Sequence, residues 1–291
     1  MRTDGDAAVA SLQIRGGLER IMLTKKKIAV IGVGKLGETL IRALLDAGVV
    51  RPSQLTATAK HPETLEAKKG LGIRLTLDNR AAARGADIII LAVKPQAMAE
   101  VLGELRSSVT SRQLVISIAA SVGTGTIERG LGKKVPVVRT MPNTPCLVRE
   151  GMTGIAPGKH ATREHLALAQ EIFNALGRSL VLDEKHMDAV TGLSASGPAF
   201  MYVVLEALAE GGLKVGLPRE IATELIAQTM LGAAKLVLET REHPAKLKDA
   251  VTTPAGCTID GLLELEEGGL RVALIKAVVR ATQRASELQR G

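Results

Sequence analysis

The 291-residue sequence contains no tryptophan, one tyrosine and two phenylalanines. Hydrophobic residues still make up 46%, so Ala, Val, Leu, Ile and Gly must build the core, which suits helices packed closely on a sheet or on one another. The same scarcity removes the aromatic platforms on which single-stranded nucleic acids stack. The net charge of +8 comes from 38 basic residues interleaved with 30 acids. It reads as a solvated surface that also attracts anionic small molecules, and no nucleic-acid partner is expected. Two cysteines, Cys146 and Cys257, are too few for a disulfide scaffold and fit a reducing cytoplasm. No apolar run approaches the roughly 18–20 residues of a membrane span, so a soluble cytoplasmic protein without a membrane partner is expected.

Metal and triad chemistry are equally short of material. His160 and His165 lie in a polar segment without ligand spacing, and His243 precedes a proline. Glu264, Glu266 and Glu267 read as the wet face of a helix. No metal site is expected. Residues 1–24 lack the apolar stretch of a signal peptide, and Asp4, Asp6 and Glu19 argue against a transit peptide. They are read as a loose tail, with Met22 as an alternative start beside the first strand.

What the sequence does hold is alternation. "KKIAVIGVGKLGETLIRALLDAG" is a continuous apolar strand, a glycine turn and a helix carrying Leu36, Leu40, Ile41, Leu44 and Leu45. Strand candidates follow at 54–59, 73–77, 87–93, 113–118 and 135–141, separated by helix-like pieces. Strands without polar alternation, spaced by helices, predict a parallel sheet covered on both faces. Residues 25–183 are therefore read as a doubly wound α/β domain of the Rossmann type.

Gly32, Gly34 and Gly37 form G-x-G-x-x-G between that first strand and its helix, the context in which the motif holds a dinucleotide pyrophosphate. An NAD site places an acid at the end of the second strand to bond the ribose hydroxyls. Here the chain reads Thr56-Ala57-Thr58-Ala59-Lys60-His61, with a cation and no acid. Lys60, helped by the Thr58 hydroxyl, would attract a 2′-phosphate. The expected cofactor is NADPH, with NADH as the alternative.

From residue 184 onward the pattern is helical. A helix enters through Ser196-Gly197-Pro198, a second runs over 218–240 with apolar residues nearly all round, and a third region from Ile259 is broken at Gly268-Gly269. Helices apolar on all faces must be covered on all faces. The region 184–291 can hardly do that alone; a homodimer with interlocked helices would supply the missing cover, and deep packing inside one chain is the alternative.

Five motifs in order, "IGVGKLG", "AVKPQ", "RTMPNTP", "DAVTGLSASGPAF" and "VTTPAGCTIDGLLELEEGG", resemble those of pyrroline-5-carboxylate reductase over about Lys26 to Glu287. The resemblance implies a Rossmann domain followed by an all-α dimerisation domain. It implies NAD(P)H-dependent reduction of the cyclic imine 1-pyrroline-5-carboxylate to L-proline, the last step of proline biosynthesis. It also implies a homodimer, with a larger ring of dimers as an extension.

Carried over by motif, Ile31, Gly32, Val33, Gly34, Lys35, Leu36 and Gly37 would hold the pyrophosphate. Asn79 would lie near the adenosine ribose phosphate. Ala92, Val93, Lys94 and Pro95 would line the nicotinamide side, and Ile118, Ala119 and Ala120 the loop after the fifth strand. Thr253, Gly256, Cys257 and Thr258 would form the substrate loop, with Thr258 hydrogen-bonded to the ring nitrogen, or else a plain helix cap. An acid near the substrate would be Glu184.

The chain departs from the family pattern at Ala255 and Ala195, where glycine is usual, at Cys257, where Thr or Ala is common, and at Phe200, usually Tyr. Ala255 would be penalised if its backbone needs positive φ. Two alternatives stand beside this reading. One is a reductase of a related cyclic imine such as piperideine carboxylate; the other is a non-catalytic NADPH-binding protein.

Overall fold

Residues Ile28 and Val30 of the first strand point to one side of the sheet, Ala29 and Ile31 to the other, and all four are buried. A strand sandwiched on both faces must be apolar at every position. That is why β1 (Ile28–Ile31) and its neighbours read as continuous apolar runs. The computed structural model describes residues 23–290, so the tail assigned to the N-terminus lies, up to residue 22, outside the described residues. Leu23, counted with that tail, is fully buried in the core.

The other strands are β2 (Leu55–Thr58), β3 (Arg74–Thr76), β4 (Ile88–Leu91), β5 (Leu114–Ser117), β6 (Val137–Met141), β7 (Gly151–Pro157) and β8 (Gly177–Val181). They form one sheet in the order β3-β2-β1-β4-β5-β6-β7-β8, parallel except for the β6–β7 pair. Strands β1 to β6 fall where the sequence predicted strands. β7 was not predicted: "GMTGIAP" has small residues and a terminal proline instead of an apolar run.

The helices are α1 (Lys35–Asp46), α2 (Pro62–Ala67), α3 (Asn79–Arg84), α4 (Met98–Leu105), α5 (Thr124–Leu131), α6 (Arg163–Asn174), α7 (Met187–Val190), α8 (Gly197–Lys214), α9 (Arg219–Thr240), α10 (Pro244–Ala250), α11 (Cys257–Glu267) and α12 (Leu270–Arg290). Leu40, Ile41 and Leu44 of α1 and Phe173 of α6 cover one face of the sheet. Ala82 and Ala83 of α3, Met98 and Leu102 of α4 and Ile127 of α5 cover the other. The doubly wound fold follows from this two-sided burial. His165 serves as a structural cap: the Thr162 backbone N–H donates to its Nδ1 at 3.0 Å where α6 begins. Burial pushes its pKa down.

By its contacts the chain divides into two units, one running to Ala195 and taking in Thr282 onward, the other Ser196–Ala281. The last turns of α12 thus belong with the sheet: Ser286 Oγ donates to Asp188 at 2.8 Å, and Ser121 Oγ donates to the Ala285 carbonyl at 3.3 Å.

The second unit is helical throughout. Helices α8 and α9 lie against each other so closely that a Cβ on Gly212 would stand 2.8 Å from that of Ala222. Only Ala209 and Ala222 are buried in this unit, while Val203, Leu225, Leu231, Leu263 and Ile275 are each more than half exposed. The stretches Glu184–Lys214 and Arg219–Thr240 are, by length and composition, apolar enough to cross a bilayer. Their apolar residues are diluted with Ala, Gly and Thr, so no unbroken run shows in the sequence.

Candidate functional site

Thr76, Thr58, Ile31, Leu91 and Ser117 stand side by side in register across β3, β2, β1, β4 and β5. The chain therefore leaves all five strands along one edge. The strand order reverses between β1 and β4, and in such sheets the crevice at that point receives the ligand. Every cofactor residue named from the sequence lies in the segments at or just beyond this row.

Gly32 turns the chain at φ +100°, where a Cβ would stand 2.9 Å from the Ala92 carbonyl oxygen. A Cβ on Gly37 would come within 2.2 Å of the Gly32 carbonyl oxygen. Gly34 differs. It caps α1 with an ordinary φ of −71°, and no protein atom lies within 4 Å of where its Cβ would be. Two glycines are thus required by the protein itself, and the third keeps open the space before the helix. The Val33 N–H is already bonded to the Thr58 carbonyl at 2.8 Å. The amides of Lys35, Leu36 and Gly37, in the first turn, have no partner within the helix and suit an anion. A dinucleotide pyrophosphate fits this loop.

Ala92 and Val93 press directly on Gly32, and the Ala92 N–H donates to the Ile31 carbonyl at 2.9 Å. Lys94 is exposed, and Pro95 opens the short turn Pro95–Ala97. Ile118 and Ala119 are buried at the end of β5, with Ala120 half-buried beside them.

Thr58 is corrected. It was expected to donate to a ribose phosphate, but it is 1% exposed and its Oγ1 accepts from the Gly32 N–H at 3.2 Å. Its pairing opposite Ile31 points it under the glycine loop, so it acts by holding that loop. Lys60 and Asn79 are both engaged by α4. Lys60 Nζ lies 3.2 Å from Glu100, and Asn79 Nδ2 donates to Glu104 at 2.8 Å. Neither glutamate was legible in the sequence, because each lies at least 25 residues from its partner.

In the second unit, Gly256 is the N-cap of α11, with Cys257 and Thr258 as its first two residues. The alternative of Thr258 as a plain cap is therefore not realised. Among the described residues no hydrogen bond to the Thr258 hydroxyl is formed. A Cβ on Gly256 would stand 2.4 Å from Thr253 Oγ1, so the loop requires glycine there. Ala255 adopts φ +55°: the penalised conformation is the one the backbone takes. Cys257 is exposed.

Glu184 has partners of its own. Oε1 accepts from the Thr124 N–H at 2.7 Å, and Oε2 from the Thr124 hydroxyl at 2.6 Å. Arg139, 2% exposed, reaches Glu184 at 3.5 Å and Asp188 at 3.6 Å. Both carboxylate oxygens thus cap α5 and neutralise a buried guanidinium. Arg139 lies in the quoted "RTMPNTP" motif, yet nothing in its sequence neighbourhood announces carboxylates some 45 residues away. Asn143 of the same motif ties its loop together, donating to the Ser194 carbonyl at 3.2 Å and accepting from the Met152 N–H at 2.8 Å. Among the described residues no three metal-ligating side chains come together.

Comparison with known proteins gives two matching family descriptions. Residues 184–288 match "pyrroline-5-carboxylate reductase dimerisation", and residues 27–121 match "NADP oxidoreductase coenzyme F420-dependent". A pyrroline-5-carboxylate reductase of Methanosarcina acetivorans is 49% identical over 91% of this chain and 99% of its own length. Among solved structures, a pyrroline-5-carboxylate reductase from Coxiella burnetii is 38% identical. It superposes with a TM-score of 0.84 over 90% of this chain and 98% of that one. The pyrroline carboxylate reductase of Plasmodium falciparum, solved with NADP bound, is 30% identical with a TM-score of 0.83, over 92% and 99% of the two chains.

Proposed function

The chain belongs to the pyrroline-5-carboxylate reductase family, and we infer that it reduces the cyclic imine of 1-pyrroline-5-carboxylate to L-proline with NADPH. The observation that carries the cofactor half is the open space before Gly34 at the head of α1. The substrate half rests on the Gly256-capped start of α11, where the Thr258 hydroxyl is without a partner among the described residues.

The reduced nicotinamide supplies the hydride. An imine carbon accepts hydride readily once its nitrogen is protonated, so positioning supplies most of the rate. The Thr258 hydroxyl is assigned to hydrogen-bond the ring nitrogen. The Gly256 N–H is taken by the Thr253 carbonyl at 3.1 Å, whereas those of Cys257 and Thr258, in the first turn of α11, have no partner within the helix and suit the substrate carboxylate. Thr253 shapes the loop against Gly256. Lys35 and Leu36 present the pyrophosphate amides, and Lys60 and Asn79 are assigned to the 2′-phosphate. Glu184 is left out of the substrate set, since both its oxygens already have partners.

The family's dimerisation region covers the helical unit. A homodimer gives α8, α9, α11 and α12 the cover that one chain does not. A ring of such dimers and a cytoplasmic location belong to the same reading.

The test follows NADPH oxidation by purified protein given 1-pyrroline-5-carboxylate, beside NADH and beside piperideine carboxylate. Turnover of the pyrroline is expected. Thr258→Ala is expected to lower kcat/KM by about 10- to 100-fold, the loss of one to two hydrogen bonds in the transition state, with folding unchanged. NADPH binding without turnover would leave a dinucleotide binder and overturn the reading.

A further inference from the structure

The second strand lacks the acid that binds ribose hydroxyls in NAD sites, yet carboxylates stand at this end of the sheet, contributed by another element. Lys60 follows β2 by two residues and Asn79 follows β3 by three, and the two strands are paired through Thr58 and Thr76. From α4, Glu100 lies on Lys60, with Nζ 3.3 and 3.2 Å from its two oxygens. Glu104, one turn further along, takes the Asn79 amide at 2.8 Å. Arg80 Nε donates to the Glu104 backbone carbonyl at 3.1 Å, which fixes the end of α4 against the start of α3. Two neighbouring acids of one helix thus engage both side chains assigned to the 2′-phosphate.

We propose that Glu100 and Glu104 are specificity-determining residues that compete with the 2′-phosphate for Lys60 and Asn79, and so narrow the chain's preference for NADPH over NADH. The proposal rests on the dinucleotide reading given above. A bound 2′-phosphate, carrying close to two negative charges, takes Lys60 from Glu100. It then stands beside the carboxylate it displaced. NADH brings no such charge and leaves both pairs as they are. Lys60 and Glu100 are 71% and 58% exposed, so the competition is screened by salt and moderate in size.

The test measures binding rather than turnover. Dissociation constants for NADPH and NADH come from nicotinamide fluorescence, with 2′-phospho-AMP and AMP as competing probes, for wild type, Glu100→Gln, Glu104→Gln and Lys60→Ala. Glu100→Gln is expected to tighten NADPH and 2′-phospho-AMP about three- to tenfold at low salt and to leave NADH and AMP within about twofold. The gain should shrink as salt is added. Unchanged NADPH affinity in Glu100→Gln and Glu104→Gln, while Lys60→Ala weakens it, would overturn the proposal and spare the cofactor reading. Equal NADPH affinity in wild type and Lys60→Ala would remove Lys60 from the phosphate site and the proposal with it. Wild type that binds neither dinucleotide would overturn the cofactor reading itself.

Discussion

The Gly32 carbonyl oxygen lies 2.2 Å from where a Cβ of Gly37 would stand, so the first and last glycines of the fingerprint are locked together by backbone. Gly37→Ala must push apart the end of β1 and the first turn of α1, at about 1–3 kcal/mol of stability. Gly34→Ala meets no protein atom and should leave stability unchanged while filling the space before the helix. Thermal unfolding beside NADPH titration separates them: Gly37→Ala loses both stability and binding, Gly34→Ala loses binding alone.

Arg139 is the largest fully buried side chain with a charge, and its Nη2 has no hydrogen bond beyond the ion pair with Asp188. Neutralising its partners strands that charge. Glu184→Gln combined with Asp188→Asn should lower stability by about 2–4 kcal/mol; both acids are partly exposed, which brings the figure below that of a fully buried pair. Arg139→Met should cost less, because it leaves two carboxylates that water can reach. Urea unfolding at one fixed protein concentration, as a dimer requires, checks the order.

Ala255 holds φ +55° immediately before Gly256. A side chain in the left-handed region costs about 1 kcal/mol or more, partly offset by the entropy glycine adds to the unfolded chain. Ala255→Gly should raise stability by up to about 1 kcal/mol and preserve kcat/KM. Ala255→Val, β-branched, should lower both. Unfolding and steady-state kinetics on the two variants test the claim.

Lys68, and after it Arg42, hold the Glu38 carboxyl below its ordinary 4.5. A depressed pKa stabilises the fold above the unfolded value, and the contribution fades as pH falls through the folded value. Glu38→Gln should therefore destabilise at neutral pH by less than about 1 kcal/mol, since the group is near the surface. The difference should vanish once pH drops below the carboxylate range. Denaturant unfolding of both proteins at the two pH values reads this directly.

Sequence was a good guide wherever the signal is local. The apolar runs at Ile28–Ile31 and Ile88–Leu91 announce strands because burial on both faces forbids a polar position. The glycine spacing announces a tight strand-to-helix turn because only glycine tolerates contacts as close as those at Gly32 and Gly37. The break at Gly268-Gly269 and the wide apolar faces of α8 and α9 were legible for the same reason. Strand β7 was not, since its residues take their place from pairing with β6 and β8.

What only the tertiary structure decided is pairing at a distance. It turned Thr58 inward onto Gly32, joined Glu184 to Arg139 and Thr124, and set Glu100 and Glu104 on Lys60 and Asn79. In each case a residue type was visible but its partner was not, because a charge or hydroxyl carries no periodicity that reveals which distant element it will meet. By itself the sequence determined the alternation of strand and helix, the glycine loop and the threonine-rich start of α11. Folding then selected which polar groups face a ligand and which satisfy one another, since a buried donor or charge must be paired wherever the packed elements bring a partner within reach.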